Sequence, residues 1–316
     1  MDYRNLGATG VKVSRICLGT AFRGRPDDAT CLATIDRAIE RGINFIDCAN
    51  AYGTEPIVGR ALKGRRDQLV LTTKVCSAMG EGPNDQGLSR FHIMREVENS
   101  LSRLQTDYID LYLAHTVDSV TPIEETLRAF DDLVHQGKVR YIGCSNFPAW
   151  RVCKGLWTSD LRDLTSFACC QDHYNLLDRR IERELVPLCQ SEGIGIMTYS
   201  AVAVGLLTGK LRRGQTPPAG SAWHGREEYF EQRMTPEADS IVEALVAIGR
   251  DHGKTPAQVA VAWVLAQPGI SAAMIGPDAP EHVDENLGGV GWTLSDEELQ
   301  KLDELSRWSV DLGQIT

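Results

Sequence analysis

Asp47, Tyr52, Lys74 and His115 are the residues of this chain whose types together make a tuned proton donor. A free tyrosine titrates near ~10, too high for ready proton exchange near neutrality. An ammonium beside it favours the phenolate and lowers that value. Lys74 can supply the ammonium, and Asp47 can keep Lys74 charged and oriented. His115, if neutral, can hydrogen-bond a substrate carbonyl and position it. A tuned acid beside a polarised carbonyl is the chemistry of carbonyl reduction, with hydride from a nicotinamide cofactor. Each residue alone has a plainer reading. Asp47 and Lys74 would form a structural ion pair, His115 a bonded structural residue, and Tyr52 a packed loop side chain. Their joint placement is what argues for a site.

That placement depends on the elements that carry them. Short apolar, β-rich runs occur at 16–18, 44–47, 69–74, 109–115, 139–145, 167–171, 195–200 and 272–276. Between them apolar residues recur at helical spacing. Leu32, Ile35 and Ile39 form one stripe, with Asp28 as N-cap and Gly42 as stop. Ile93, Val97, Leu101 and Leu104 form a second; Ile123, Leu127, Phe130 and Val134 a third, ended by Gly137. Ile241, Leu245 and Ile248 form a fourth, and Pro256 suits the first turn of a helix holding Val259, Trp263 and Leu265. Strands alternating with helices predict an α/β chain with parallel strands, each needing a crossover. Eight such units suit a closed (β/α)8 TIM barrel. No G-x-G-x-x-G follows the first strand, which disfavours a dinucleotide-binding open sheet.

Residues 1–15 read as a small β-hairpin plugging the barrel bottom, and 214–236 as one long irregular loop after the seventh strand. No linker divides the chain, so one domain over 1–316 is expected. In such barrels the site lies at the C-terminal strand ends. Read in order, those ends carry Asp47, Lys74, His115, Ser145-Asn146, Gln171-Asp172-His173 and Tyr199-Ser200, with Tyr52 in the loop above the second.

Composition bounds the partners. There are 33 Lys+Arg against 43 Asp+Glu, a net charge of −10, which repels phosphate backbones and anionic lipid. Nucleic acid and membrane are therefore not expected as partners. The nine cysteines lack any C-x-x-C pair and suggest reduced thiols, no metal and a cytoplasmic location. The first ten residues lack a signal-peptide core, and no run of ~18 apolar residues exists. Cys48, beside Asp47, reads as a small buried residue, not a nucleophile.

At this point the chain resembles the aldo-keto reductase superfamily over nearly its whole length. The resemblance is carried by Tyr3-Arg4-Asn5-Leu6-Gly7-Ala8-Thr9-Gly10, by Leu18-Gly19-Thr20, and by the run from Phe45 through Asp47 to Tyr52-Gly53. Thr73-Lys74, the run from Asp107 to His115, and the run from Gly137 to Phe147 complete it. The style is nearest a bacterial branch that also resembles potassium-channel β subunits. The resemblance implies that Asp47, Tyr52, Lys74 and His115 are a catalytic tetrad with Tyr52 the proton donor. It implies that Ser145, Asn146 and Gln171 bond the nicotinamide carboxamide, and that Tyr199 stacks on the ring. Gly19 and Thr20 would border the cofactor, Leu206, Gly209 and Lys210 would line the pyrophosphate, and Gly276, Asp278, His282 and Asn286 would hold the adenosine end. Lys210, Arg212 and Arg213 make a local basic cluster that suits an anionic cofactor.

The family favours NADP(H). Asp278 has the wrong sign for a 2′-phosphate and can instead accept from a ribose hydroxyl, which makes NAD(H) the competitor. Phe22, Trp223, Tyr229 and the region of Trp308 are candidates to wall the substrate pocket. The expected function interconverts a carbonyl (aldehyde, ketone or sugar) and its alcohol. Two rivals stand beside it: a cofactor-binding regulatory subunit with little turnover, and a lyase or isomerase using the same tyrosine without net redox. The partner expected is a small carbonyl or alcohol; oligomeric state is not read from the sequence.

Overall fold

Each apolar run becomes one parallel strand in the computed structural model, which describes residues 1–24, 26–219 and 221–307. A hairpin comes first: β1 (Tyr3–Asn5) and β2 (Lys12–Ser14), paired antiparallel. The barrel strands are β3 (Ile16–Gly19), β4 (Phe45–Asp47), β5 (Val70–Val75) and β6 (Ile109–Ala114). They continue as β7 (Val139–Ser145), β8 (Phe167–His173), β9 (Gly195–Tyr199) and β10 (Ile270–Ile275). Neighbours pair in parallel, and β10 closes on β3 with Met274 opposite Cys17. The (β/α)8 barrel expected from the alternation is what the chain forms.

Helices between the strands supply the crossovers that parallel pairing requires. Arg90–Leu104 buries the expected Ile93, Val97, Leu101 and Leu104, and with them His92, Glu96 and Ser100. Ile123–His135 buries Ile123, Leu127 and Phe130. Asp28–Glu40 buries Cys31, Ile35 and Ala38. Its cap is Asp27, one residue before the Asp28 that spacing suggests. Asp27 is the residue with extended backbone (φ −69°, ψ 165°), and its carboxylate accepts from the Thr30 amide. An N-cap needs that non-helical backbone, and Asp28 is already inside the first turn.

The hairpin does plug the barrel bottom. Leu6 and Val13 are buried with Cys17, Phe45, Leu111, Leu113, Cys169, Met197 and Ala272, which form the barrel's interior cluster. Gly7, at φ +58°, lies so close to the start of β9 that a Cβ there would sit 2.4 Å from the Gly193 carbonyl oxygen.

The stretch 214–236 departs from expectation. It is not irregular throughout but contains the helix Glu227–Arg233, whose Phe230 is buried and anchors it to the core. The single apolar anchor in a polar, seven-residue segment is too weak a pattern to read as a helix. Among the described residues no helix is long and apolar enough to cross a membrane, and no group of three or more His, Cys, Asp or Glu could hold a metal ion. All nine cysteines are free, and only Cys153 is exposed.

Candidate active site

The C-terminal ends of β4, β5 and β6 deliver Asp47, Lys74 and the residue after Ala114, His115, to one end of the barrel. Asp47 and Lys74 are completely buried. Lys74 Nζ donates to Asp47 Oδ2 at 2.6 Å, to the Cys48 carbonyl at 2.8 Å and to Tyr52 Oη at 3.4 Å. An ammonium has three protons and no lone pair. All three are therefore committed, and Tyr52 Oη receives one of them. The phenol's own proton must point away from Lys74, free for another acceptor.

Two further anchors fix this geometry. Thr20 donates through both its amide and its hydroxyl to the Asp47 carbonyl, each at 2.9 Å. Gln171 Nε2 donates to Asp47 Oδ1 at 2.8 Å, so both carboxylate oxygens are bonded. Buried charges are tolerable when paired and bonded in this way. Asp47 and Tyr52 hold Lys74 above the ordinary lysine range against the opposing effect of burial.

Tyr52 corrects one expectation. Burial is the largest influence on its phenol and raises it above the ordinary value; Lys74 pulls the other way, and Asp47 adds to the rise. The lysine charge tempers the burial penalty without overcoming it, because Asp47 neutralises much of its field. His115 behaves as anticipated. Burial first, and Lys74 second, push its imidazole down to about 4, so it is neutral at pH 7. The Tyr52 and His115 rings meet edge-on, with centroids 5.7 Å apart. His115 Nδ1 is buried without a partner among the described residues.

The neighbouring strand ends join the same unit. Asn146, in left-handed backbone at φ +58°, donates through Nδ2 to the His115 carbonyl at 3.1 Å and to Ser145 Oγ at 3.0 Å. Tyr199 Oη donates to Asn146 Oδ1 at 2.7 Å. Ser145, Asn146, Gln171 and Tyr199 are thus brought together with the tetrad. Asn146 and Gln171 spend part of their hydrogen-bonding capacity on protein neighbours.

After β9 the backbone turns through Ser200, Ala203, Val204, Gly205 and Gly209, all at positive φ. Such values are rare for non-glycine residues and unusual for a β-branched one, so the loop is strained. Strained loops of this kind cluster at ligand clamps. Leu206 is buried, and the Lys210 side chain is exposed, with no ion pair among the described residues. The expected basic cluster is partly neutralised: Arg212 is bound by Asp239 at 2.7 Å and Glu243 at 3.0 Å.

At the far end Gly276 is exposed, and a Cβ added there would meet nothing within 4 Å. Asp278 Oδ1 accepts from the Gly24 amide at 3.1 Å, tying the loop after β10 to the loop after β3. His282 and Asn286 lie on the helix Pro280–Leu287, joined by an Asn286 Nδ2 to His282 carbonyl bond. Gly19 lies against β10, where a Cβ would come within 2.9 Å of Met274 Sδ.

The substrate-pocket candidates are scattered. Phe22 is 6% exposed and belongs to the main core, in left-handed backbone at φ +41°. Trp223 is half-buried and donates through Nε1 to the Val204 carbonyl at 2.9 Å, tying its loop to the strained turn. Tyr229 is 65% exposed on Glu227–Arg233, turned to solvent rather than into a pocket. Trp308 lies outside the described residues.

His173, which the sequence marks only as the last residue of a polar strand end and gives no role, also borders the site. It meets the Tyr199 ring edge-on at 5.3 Å, and its Nδ1 lies 3.1 Å from Asp178 Oδ2. Its position at the end of β8 is the one signal that points to it. Cys48 is buried, with its thiol raised well above the ordinary value by burial first, in keeping with an inert packing residue.

The model of the aldo/keto reductase family matches residues 15–307. The uncharacterized oxidoreductase YrpG of Bacillus subtilis is 38% identical, over 96% of this chain and 96% of its own length. The aldo-keto reductase YhdN of the same organism is 35% identical over 96% and 93%. A probable voltage-gated potassium channel subunit beta of Arabidopsis thaliana is 34% identical over 92% and 91%. With the barrel, the strand-end cluster and these likenesses together, the chain belongs to the aldo/keto reductase family, whose members are in general nicotinamide-dependent oxidoreductases.

Proposed function

We propose that the protein interconverts a small aldehyde, ketone or sugar carbonyl with its alcohol, using Tyr52 as general acid and base. The observation that carries this reading is the saturated Lys74 ammonium. It donates to Tyr52 Oη, leaving the phenolic proton to face a substrate oxygen. A nicotinamide cofactor, held by Ser145, Asn146, Gln171 and Tyr199, would supply the hydride when bound. As the carbonyl oxygen gains negative charge, Tyr52 transfers its proton from Oη, and Lys74 stabilises the tyrosinate left behind. Neutral His115 hydrogen-bonds and orients the same oxygen. In the reverse direction the tyrosinate takes the alcohol proton.

The residues present fit such a cofactor. Ser145, Asn146 and Gln171 offer amide and hydroxyl groups beside the tetrad, suited to a carboxamide. Tyr199 offers a ring face, and the positive-φ turn at 203–205 offers a curled backbone of the kind that receives anions. NADP(H) is the cofactor favoured, with NAD(H) the competitor because of Asp278. Free, mostly buried thiols support a reducing, cytoplasmic setting.

The likeness to a protein named as a channel β subunit supports a second reading, a cofactor-binding regulatory subunit with slow turnover. The complete tetrad favours the enzyme. A lyase or isomerase on the same barrel would form product without consuming nicotinamide. The test follows NADPH and NADH absorbance across a panel of aldehydes, ketones and sugars, for the wild type and Tyr52→Phe. Loss of about 10²–10⁴ in kcat is expected for the variant, the range for a general acid. Equal turnover by the variant would remove Tyr52 from this role.

A further inference from the structure

Behind the tetrad, between the barrel and its helices, lies a second charged cluster with no assigned role. Glu55 is completely buried, and Glu96 is buried to 3% side-chain exposure. Arg103 reaches both: its Nε lies 2.6 Å from Glu55 Oε2, and its guanidinium lies 3.5 Å from Glu96 Oε2. The two carboxylates are attached to the catalytic elements at different points. Glu55 Oε1 accepts from the Thr73 hydroxyl at 2.6 Å, and Thr73 immediately precedes Lys74. Glu96 Oε2 accepts from Asn50 Nδ2 at 3.4 Å, and Asn50 opens the short turn Asn50–Tyr52. Glu55 itself lies three residues after Tyr52. The cluster therefore grips the Tyr52 turn on both sides and the Lys74 strand from behind.

The contact is close. The helix Glu55–Leu62 approaches the end of Arg90–Leu104 so closely that a Cβ on Gly59 would sit 2.5 Å from the Leu104 carbonyl oxygen. Leaving two buried carboxylates without their cation is costly, so the arginine cannot swing away freely.

Building on the carbonyl-reduction reading, we propose that Arg103, through Glu55 and Glu96, is a positioning residue that sets the separation of Tyr52 Oη from Lys74 Nζ. It touches neither substrate nor cofactor; it acts on the two parts of the acid from behind. The reach from Lys74 Nζ to Tyr52 Oη is 3.4 Å, already long, so a small drift of the turn breaks it.

The experiment compares the wild type with Arg103→Met, Arg103→Lys and Glu96→Gln. Two readouts are used: kcat and KM for cofactor and carbonyl, and titration of Tyr52 by ¹³C NMR of labelled tyrosine, assigned with Tyr52→Phe. Arg103→Met is expected to lower kcat at least tenfold with cofactor KM within twofold, and to raise the Tyr52 titration. Arg103→Lys, which keeps the charge, is expected to recover kcat to within about threefold of wild type. Should Arg103→Met fail to fold, Glu96→Gln preserves shape and is expected to lower kcat several-fold and move the same titration. A folded Arg103→Met or Glu96→Gln variant with unchanged kcat and Tyr52 titration would overturn the proposal, whatever its melting temperature. If the wild type reduces no carbonyl, the oxidoreductase reading fails separately, and the Tyr52 titration still decides the positioning role.

Discussion

The Lys74 ammonium lies 2.6 Å from the Asp47 carboxylate with both side chains fully buried. A pair so placed is held together less by its net stability than by the cost of separating it. Removing one partner leaves an uncompensated buried charge, a loss of about 3–5 kcal/mol. Lys74→Met is therefore expected to destabilise the fold by about that much and to abolish turnover. Lys74→Met combined with Asp47→Leu removes both charges and is expected to be more stable than Lys74→Met alone, yet equally inactive. Urea denaturation of the two variants checks this. A double variant no more stable than the single one would mean that packing, not charge, dominates at this position.

His115 gives a pH signature. Its imidazole is pushed down from 6.5 to about 4, so between these values the unfolded chain binds a proton that the folded chain refuses. Wherever the unfolded state binds more protons, stability rises with pH and is lost as pH falls. The window here is pH 6.5 down to about 4. At about 1.36 kcal/mol per unit of pKa, the loss is on the order of 3 kcal/mol. Comparing wild type with His115→Gln cancels the other titrating groups. The stability difference between them should move in favour of the variant, by that order, as pH drops from about 7 to about 4. A difference flat with pH would show that His115 protonates normally in the folded state.

The barrel and the clustering of Asp47, Lys74 and His115 at its strand ends are legible in the sequence because the strands that carry them are periodic signals. Apolar runs separated by helical stripes mark strand ends, and strand ends mark the site; Asp47, Lys74 and His115 fall there without knowledge of any contact. Contacts between distant segments leave no such mark. Nothing around Arg103 signals that it reaches Glu55, nor does Asp278 reveal that it binds the Gly24 amide. The direction of Tyr52's shift is likewise out of reach, since it depends on how far burial outweighs a neighbouring charge. Tyr229 illustrates the converse: an aromatic in a loop reads as a pocket wall, but its facing is set by the short helix that carries it.

The thiols offer a direct check on packing. Eight cysteines are buried, and Cys153 alone is exposed, on the helix Ala149–Arg162. Burial also raises Cys17, Cys48 and Cys169 above the ordinary thiol value, which removes the reactive thiolate. Brief treatment of native protein with a maleimide should add one label, at Cys153, by intact mass and peptide mapping. Under denaturing conditions all nine should react. Rapid native labelling of Cys48 or Cys169 would contradict the packing described beside Asp47.

Asp278 separates a structural from an electrostatic role. Its carboxylate accepts from the Gly24 amide, so it fastens the loop after β10 to the loop after β3. The same charge stands where the adenosine end of a dinucleotide is proposed to lie, and there it would repel a 2′-phosphate. Asp278→Asn keeps an oxygen able to accept from Gly24 and removes the charge. It should raise the ratio of kcat/KM for NADPH over NADH about tenfold, equivalent to ~1.4 kcal/mol, with NADH little changed. Asp278→Ala removes charge and tie together, so the ratio should rise similarly while both cofactors bind more weakly. Cofactor titrations with each variant distinguish the two effects. If neither variant changes the ratio, the carboxylate serves only to join the two loops, and cofactor choice is made by other residues at this end of the barrel.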